Sequence, residues 1–199
     1  MHISEGILSS GMLLTGWAGS VAGISYGLRK TDPDKIIKTA LISSAFFLAS
    51  LVNVRIGPSS THLTLLAPIG LILGSAVFPA VFTALLLQAV LFHFGGIVVL
   101  GANTFIMGTA SLSVYILFGQ IIRNSEGRLR LMTASFIAGI SAVMIGASLT
   151  GIFLMMTDVN FSGAVKVLLI AHLPVALIEG AVTSFLVVWL KKSAPEILS

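Results

Sequence analysis

The sequence predicts an all-α, polytopic membrane bundle of about seven transmembrane helices, and three observations predict it. Of 199 residues, 56% are hydrophobic and only 9% charged, where soluble domains carry roughly 25% charged residues; the mean hydropathy is +1.07. The apolar residues gather into seven segments, near 9–28, 36–54, 63–77, 79–100, 104–122, 131–156 and 165–190. Charge is asymmetric across them. With the N-terminus outside, the inner side holds Arg29, Lys30, Lys35, Lys38, Arg123, Arg128, Arg130, Lys191 and Lys192, and the outer side only Arg55 and Lys166. Correct topologies show that bias.

The length suits a single transmembrane domain over 1–199, read as an N-terminal segment 1–8, a bundle 9–192 and a short cytoplasmic tail 193–199. The first segment carries Gly16, Gly19, Gly23 and Gly27, and the sixth carries Gly139, Gly146 and Gly151. Small residues let helix backbones approach closely in lipid, where packing replaces the hydrophobic effect. The third segment is short for the roughly 20 residues of a straight span. Pro58, Pro68, Gly70, Gly74 and Pro79 punctuate it, so 57–100 reads either as two spans or as one span with a re-entrant piece. Losing a span there would move Arg123, Arg128 and Arg130 outside, which selects seven. The N-terminus lacks the basic region of a signal peptide, its first charge being Glu5.

The N-terminal stretch Met1-His2-Ile3-Ser4-Glu5-Gly6 carries chemistry. The free amine, the Met1–His2 amide nitrogen and the His2 imidazole can close around one ion through a five-membered and a six-membered chelate ring. That flat arrangement lacks one nitrogen, and tetragonal nitrogen sites suit Ni(II), Cu(II) and, by extension, Co(II). The chain has no cysteine, so any metal is held by nitrogen or oxygen. The plainer alternative is an incidental polar residue at the chain start.

In the seven-span topology His2, His62, His93 and His172 all fall in the outer half. The run Gly57-Pro58-Ser59-Ser60-Thr61-His62 reads as a helix entrance whose hydroxyls cap orphan amides. His62 itself, at membrane depth, calls for a partner. Asn103, after the glycine-flanked turn Gly95-Gly96, either orients a metal-binding imidazole or caps the following helix. In the seventh segment His172-Leu173-Pro174 leads to Glu179-Gly180. Glu179 has no cation within ten residues of it in sequence and reads either as a functional carboxyl or as an interhelical contact. Gln88 is expected to hydrogen-bond across helices.

Taken together, these residues resemble one family. Met1-His2-Ile3-Ser4-Glu5-Gly6, Ser59-Ser60-Thr61-His62-Leu63, Phe94-Gly95-Gly96, Gly101-Ala102-Asn103-Thr104-Phe105 and Ala171-His172-Leu173-Pro174 through Glu179-Gly180 are similar to signatures of the CbiM/NikM family. These are the substrate-binding membrane components (S components) of energy-coupling-factor transporters for cobalt and nickel. The resemblance runs over essentially the whole chain. It implies a multi-pass protein of a prokaryotic cell membrane and a metal ligand set of Met1, His2 and His62. Ser60, Thr61, His93, Asn103, His172 and Glu179 are then candidates for supporting or pathway roles. The bound substrate would be Ni2+, with Co2+ close behind, and a cobalt component serving cobalamin biosynthesis is the alternative.

The same resemblance implies a membrane coupling subunit (the T component), a pair of cytoplasmic ATPases and a small accessory membrane subunit. No Gly-rich loop followed by Lys and Ser or Thr is present, so no ATP site is expected on this chain. Neither HExxH nor paired carboxylates occur, which argues against an intramembrane metallohydrolase, and the charge distribution gives no reason to expect nucleic acid. A proton-coupled metal transporter using Glu179 as a relay is the rival from another class.

Overall fold

The computed structural model describes residues 3–31, 36–51, 53–56 and 59–198, with 53–56 and 59–62 described by their backbone. Seven helices follow the seven apolar segments: α1 (Ser10–Lys30), α2 (Ile36–Ser50), α3 (Leu66–Leu73), α4 (Val77–Phe92), α5 (Leu100–Arg123), α6 (Arg128–Thr157) and α7 (Ser162–Ser193). Between α2 and α3 the chain forms a short antiparallel hairpin, β1 (Asn53–Ile56) with β2 (Ser59–His62), in the register Asn53 to His62 and Ile56 to Ser59.

Glycine seams set how closely the helices approach. At Gly16 a Cβ would stand 2.5 Å from Ala102 Cα, and at Gly19 2.4 Å from the Phe105 ring, so α1 and α5 run side by side in parallel. At Gly139 a Cβ would meet the Glu179 carbonyl oxygen and Gly180 Cα at 2.7 Å, the close crossing of α6 with α7. Thr15, Thr83, Thr133 and Thr150 return their hydroxyls to carbonyls one turn back, which satisfies them without water.

Direction follows from the same contacts. α1 descends, and its residues Trp17, Gly23 and Gly27 meet Phe82, Phe78 and Pro79 in that order, so α4 ascends. Along α3, Gly70 packs on Ser111 and Gly74 on Tyr115, so α3 descends beside α5. The reversal between α3 and α4 is the 3-10 turn Gly74–Ala76, with Gly74 at φ +53°. Four stretches are long and apolar enough to span by themselves among the described residues, and Leu66–Phe92 counts as one of them; its halves run in opposite senses, and together they make the third and fourth passes.

The third pass differs from the expected short apolar span. α3 has eight residues, about 12 Å of helix against a hydrocarbon core of about 30 Å. It starts near mid-depth, and the backbone above it is the hairpin. The hydroxyl run that reads as a helix cap lies instead in β2, and α2 ends before residues 53–54. Non-helical backbone at membrane depth is tolerated only where protein or a water-lined cavity surrounds it. This pass is therefore built to be enclosed.

Candidate metal centre

Residues 3–8 are anchored at the outer end of the bundle by the buried Ile3 and Leu8. Ile3 is 3% exposed and clusters with Leu8 and with Met12, Ala102, Ile106, Phe153 and Leu154 from α1, α5 and α6. One side chain determines its place. The Ile3 N–H donates to Asn103 Oδ1 at 2.9 Å, and Asn103 Nδ2 donates to the Ile3 carbonyl oxygen at 3.0 Å. Asn103 is itself buried in the first turn of α5, so its carboxamide reads the backbone of residue 3 as a neighbouring strand would.

A second clasp follows two residues later. The Glu5 N–H donates to the Gly95 carbonyl oxygen at 3.2 Å, and the Val98 N–H donates to Glu5 Oε1 at 2.9 Å. Gly95 and Gly96 stand at φ +76° and +126°. A Cβ on Gly96 would fall 2.3 Å from the Glu5 carboxyl, so the turn between α4 and α5 needs glycine for both conformation and space. The Trp17 indole N–H donates to the Val98 carbonyl oxygen at 3.0 Å and ties the same turn to α1. Beyond the clasp, Ser9 caps α1 by accepting from the Met12 N–H, and its own N–H donates to Thr157 Oγ1 at 3.3 Å.

On the opposite side, Glu179 sits inside the bundle on α7, 1% exposed. Its carboxylate accepts from the Thr64 N–H, and from the Leu65 N–H at 3.1 and 3.2 Å through its two oxygens. Leu65, the residue before α3, stands at φ +47° with no side-chain cap of its own. A leucine is disfavoured there by about 1–2 kcal/mol. Glu179 thus pairs, from another helix, the backbone N–H groups of the two residues that lead into α3, and holds the chain two residues after His62.

Met1 and His2 lie outside the described residues. His62 ends β2 opposite Asn53, with Ser60 and Thr61 beside it opposite Arg55 and Val54. His93 is exposed at the C-terminus of α4, at φ +56°. His172 is half-buried, and its Nδ1 lies 2.8 Å from the Leu168 carbonyl oxygen of its own helix. Gln88 is buried in α4. Among the described residues no three His, Cys, Asp or Glu side chains converge as a ready metal cage.

The sequence reading did not reach the clasp made by Glu5 and Trp17 on the glycine turn, nor the pairing of Glu179 with the Thr64 and Leu65 amides ahead of α3. A carboxylate three residues after His2 with no cation near it was a signal for the first. The adjacent pair Gly95-Gly96, which implies a close backbone approach, was another.

Comparison with known proteins gives a consistent picture. The family model of the cobalt uptake substrate-specific transmembrane region, CbiM, matches residues 2–197. A putative metal transport protein of Haemophilus influenzae is 36% identical over 201 residues, covering 100% of this chain and 97% of its own length. The cobalt transport protein CbiM of Kyrpidia tusciae is 28% identical, covering 100% of this chain and 86% of itself. The putative fused nickel transport protein NikMN of Archaeoglobus fulgidus is also 28% identical, over 100% of this chain and 68% of itself. A crystal structure of a truncated transition metal transporter shares the fold, with a TM-score of 0.73 at 24% identity over 96% of this chain and 99% of that one.

Proposed function

The chain belongs to the CbiM family of cobalt uptake substrate-specific transmembrane proteins, transport components and not enzymes, and from that premise we propose that it captures one Ni2+ or Co2+ ion at the outer face through Met1, His2 and His62. The amine, the Met1–His2 amide nitrogen and the His2 imidazole supply three nitrogens in a plane. The His62 imidazole supplies the fourth. Such a set favours Ni2+ by geometry, with Co2+ close behind, and discrimination against the tighter-binding Cu2+ falls to access and availability.

One observation carries this reading. Asn103 holds both polar groups of the Ile3 backbone, so the chain is anchored inside the bundle two residues from the proposed amine ligand. An N-terminus with no such task has no reason to be buried and paired this way. The clasp at Glu5 shortens the lever further, and Glu179 anchors the other ligand-bearing segment just after His62.

Delivery inward requires energy, and the chain has no phosphate-binding loop. The T component and the ATPase pair would provide it, with the small accessory subunit as a further membrane partner. In the rival proton-coupled reading Glu179 moves protons. The two separate cleanly, since uptake by the first needs nucleotide hydrolysis and uptake by the second needs a proton gradient.

The site is tested by comparing a C-terminally tagged protein with one carrying residues added before Met1. A peptide-bonded nitrogen cannot donate as the amine does, so the extended protein should emerge from nickel-supplemented purification with almost no metal. Equal nickel content in both would refute the ligand set.

A further inference from the structure

The inner end of the bundle carries a second feature, unrelated to the metal. Between α6 and α7 opens a groove of about 1340 Å³, larger than the roughly 300–1,000 Å³ of ordinary small-ligand clefts. Its body is apolar, built by Leu131, Met132, Phe136, Phe185, Val188 and Trp189, while Arg123, Arg128, Lys191 and Lys192 stand at its polar end against the one carboxylate of Glu126. Phe185 and Trp189 are 76% and 55% exposed. The Ser184 hydroxyl is occupied on the Met132 carbonyl oxygen at 3.1 Å, so the floor offers no free donor.

The polar end invites an anion for a further reason. α6 begins there with Arg128, its N-cap Gly127 makes no side-chain cap, and its first turn has no acidic residue. The free amides of that turn add to the field of the four cations. Lys191 is partly engaged, donating to the Arg123 carbonyl oxygen at 2.5 Å, and the Arg123 guanidinium lies 5.2 Å over the Tyr115 ring. Arg128 and Lys192 are exposed.

We propose that this groove binds an anionic phospholipid of the cytoplasmic leaflet, its phosphate between Arg128 and Lys192 and an acyl chain along Phe136, Phe185 and Trp189. Charge complementarity selects this occupant. The positive-inside topology places the cations at the headgroup level of that leaflet, and basic pockets between transmembrane helices on that side recognise anionic headgroups. A water-soluble anion would leave the apolar body exposed, and a zwitterionic lipid would leave the cations unmatched.

The test uses the full chain in nanodiscs of mixed phosphatidylglycerol and phosphatidylcholine, with lipid retained on the protein read by native mass spectrometry. Wild type should retain phosphatidylglycerol preferentially. The double variant R128Q/K192Q should lose that preference by about 30-fold, from two cations near the membrane surface. R130Q, on the same exposed turn but outside the groove, should keep it within about twofold. Equal retention of the two lipids by wild type would overturn the proposal. So would an R130Q loss as large as that of the double variant, which would make the preference a diffuse surface charge. A protein partner that binds wild type but not R128Q/K192Q, with lipid retention unchanged between them, would overturn it as well and assign the groove to that partner.

Discussion

Replacing Glu179 by leucine removes both acceptor oxygens from the Thr64 and Leu65 amides. Among the described residues the Thr64 and Leu65 N–H groups meet only this carboxylate from α7, and each buried donor left unsatisfied costs about 1–3 kcal/mol. Glu179→Leu should therefore lose about 2–6 kcal/mol of stability. Glu179→Gln keeps one acceptor oxygen of the same reach and loses the charge assistance, which roughly doubles a hydrogen bond. It should lose about 1–3 kcal/mol. The assay is reversible unfolding in mixed micelles, followed by helix circular dichroism, with bound nickel measured on each variant. The expected order is wild type, then Gln, then Leu, in both stability and metal retention, because the same carboxylate steadies the chain after His62. If Glu179→Leu matched wild type within about 0.5 kcal/mol, the range of an ordinary surface substitution, the pairing argument would be wrong. A Gln variant that blocked uptake while keeping full stability and metal would instead favour the proton relay.

Four further outcomes can be measured. Asn103→Asp keeps an acceptor for the Ile3 N–H but turns a second oxygen toward the Ile3 carbonyl, and nickel affinity by calorimetry should fall about 10-fold to 100-fold. Gly96→Ala brings a Cβ into the Glu5 carboxyl at φ +126° and should lower both stability, by about 1–3 kcal/mol, and metal content. Gly11→Ala in α1, where a Cβ meets nothing within 4 Å, should leave metal content unchanged and can stabilise by up to about 1 kcal/mol. The last concerns protons. An amine with a reference pKa near 8 and imidazoles near 6.5 are protonated, and so unable to bind metal, as pH falls. Apparent affinity should drop by more than one decade per unit between about pH 7 and 5, with roughly two protons released on binding near neutrality. A flat profile would return the argument to carboxylate ligands.

The helices were legible because apolar segment length and cation placement are properties of single residues summed along the chain. They yield seven passes even where one helix is eight residues long. The hairpin was not legible, since Ser59-Ser60-Thr61-His62 makes equally good hydrogen-bonding sense at a helix entrance and in a strand. Neither the pairing of 59–62 with 53–56 nor the bond from the Thr64 N–H to Glu179, more than a hundred residues away in sequence, can be read from that run. The proposed ligands Met1, His2 and His62 could be named from chelate chemistry and resemblance, while the Asn103 and Glu5 contacts that hold residues 3 and 5 could not. Asn103 looked like a cap or an orienting amide because its partner is the backbone of Ile3, and backbone groups leave no signature in a sequence. Glu5 looked like an isolated charge until the turn that receives it was in place.

The separation between Thr64 and Glu179, 115 residues, has a consequence for biogenesis. A chain is inserted in order of synthesis, and an eight-residue helix is too short to partition into a bilayer as an independent unit. The third pass must therefore enter leaning on its neighbours, with its upper half open, and must wait for α7 to be made. Only then do its free amides meet their acceptor and the strand carrying His62 come to rest. Maturation of the outer face is in this sense the last act of translation: a nascent chain stalled before α7 would display most of its helices and still lack the anchor that holds that strand.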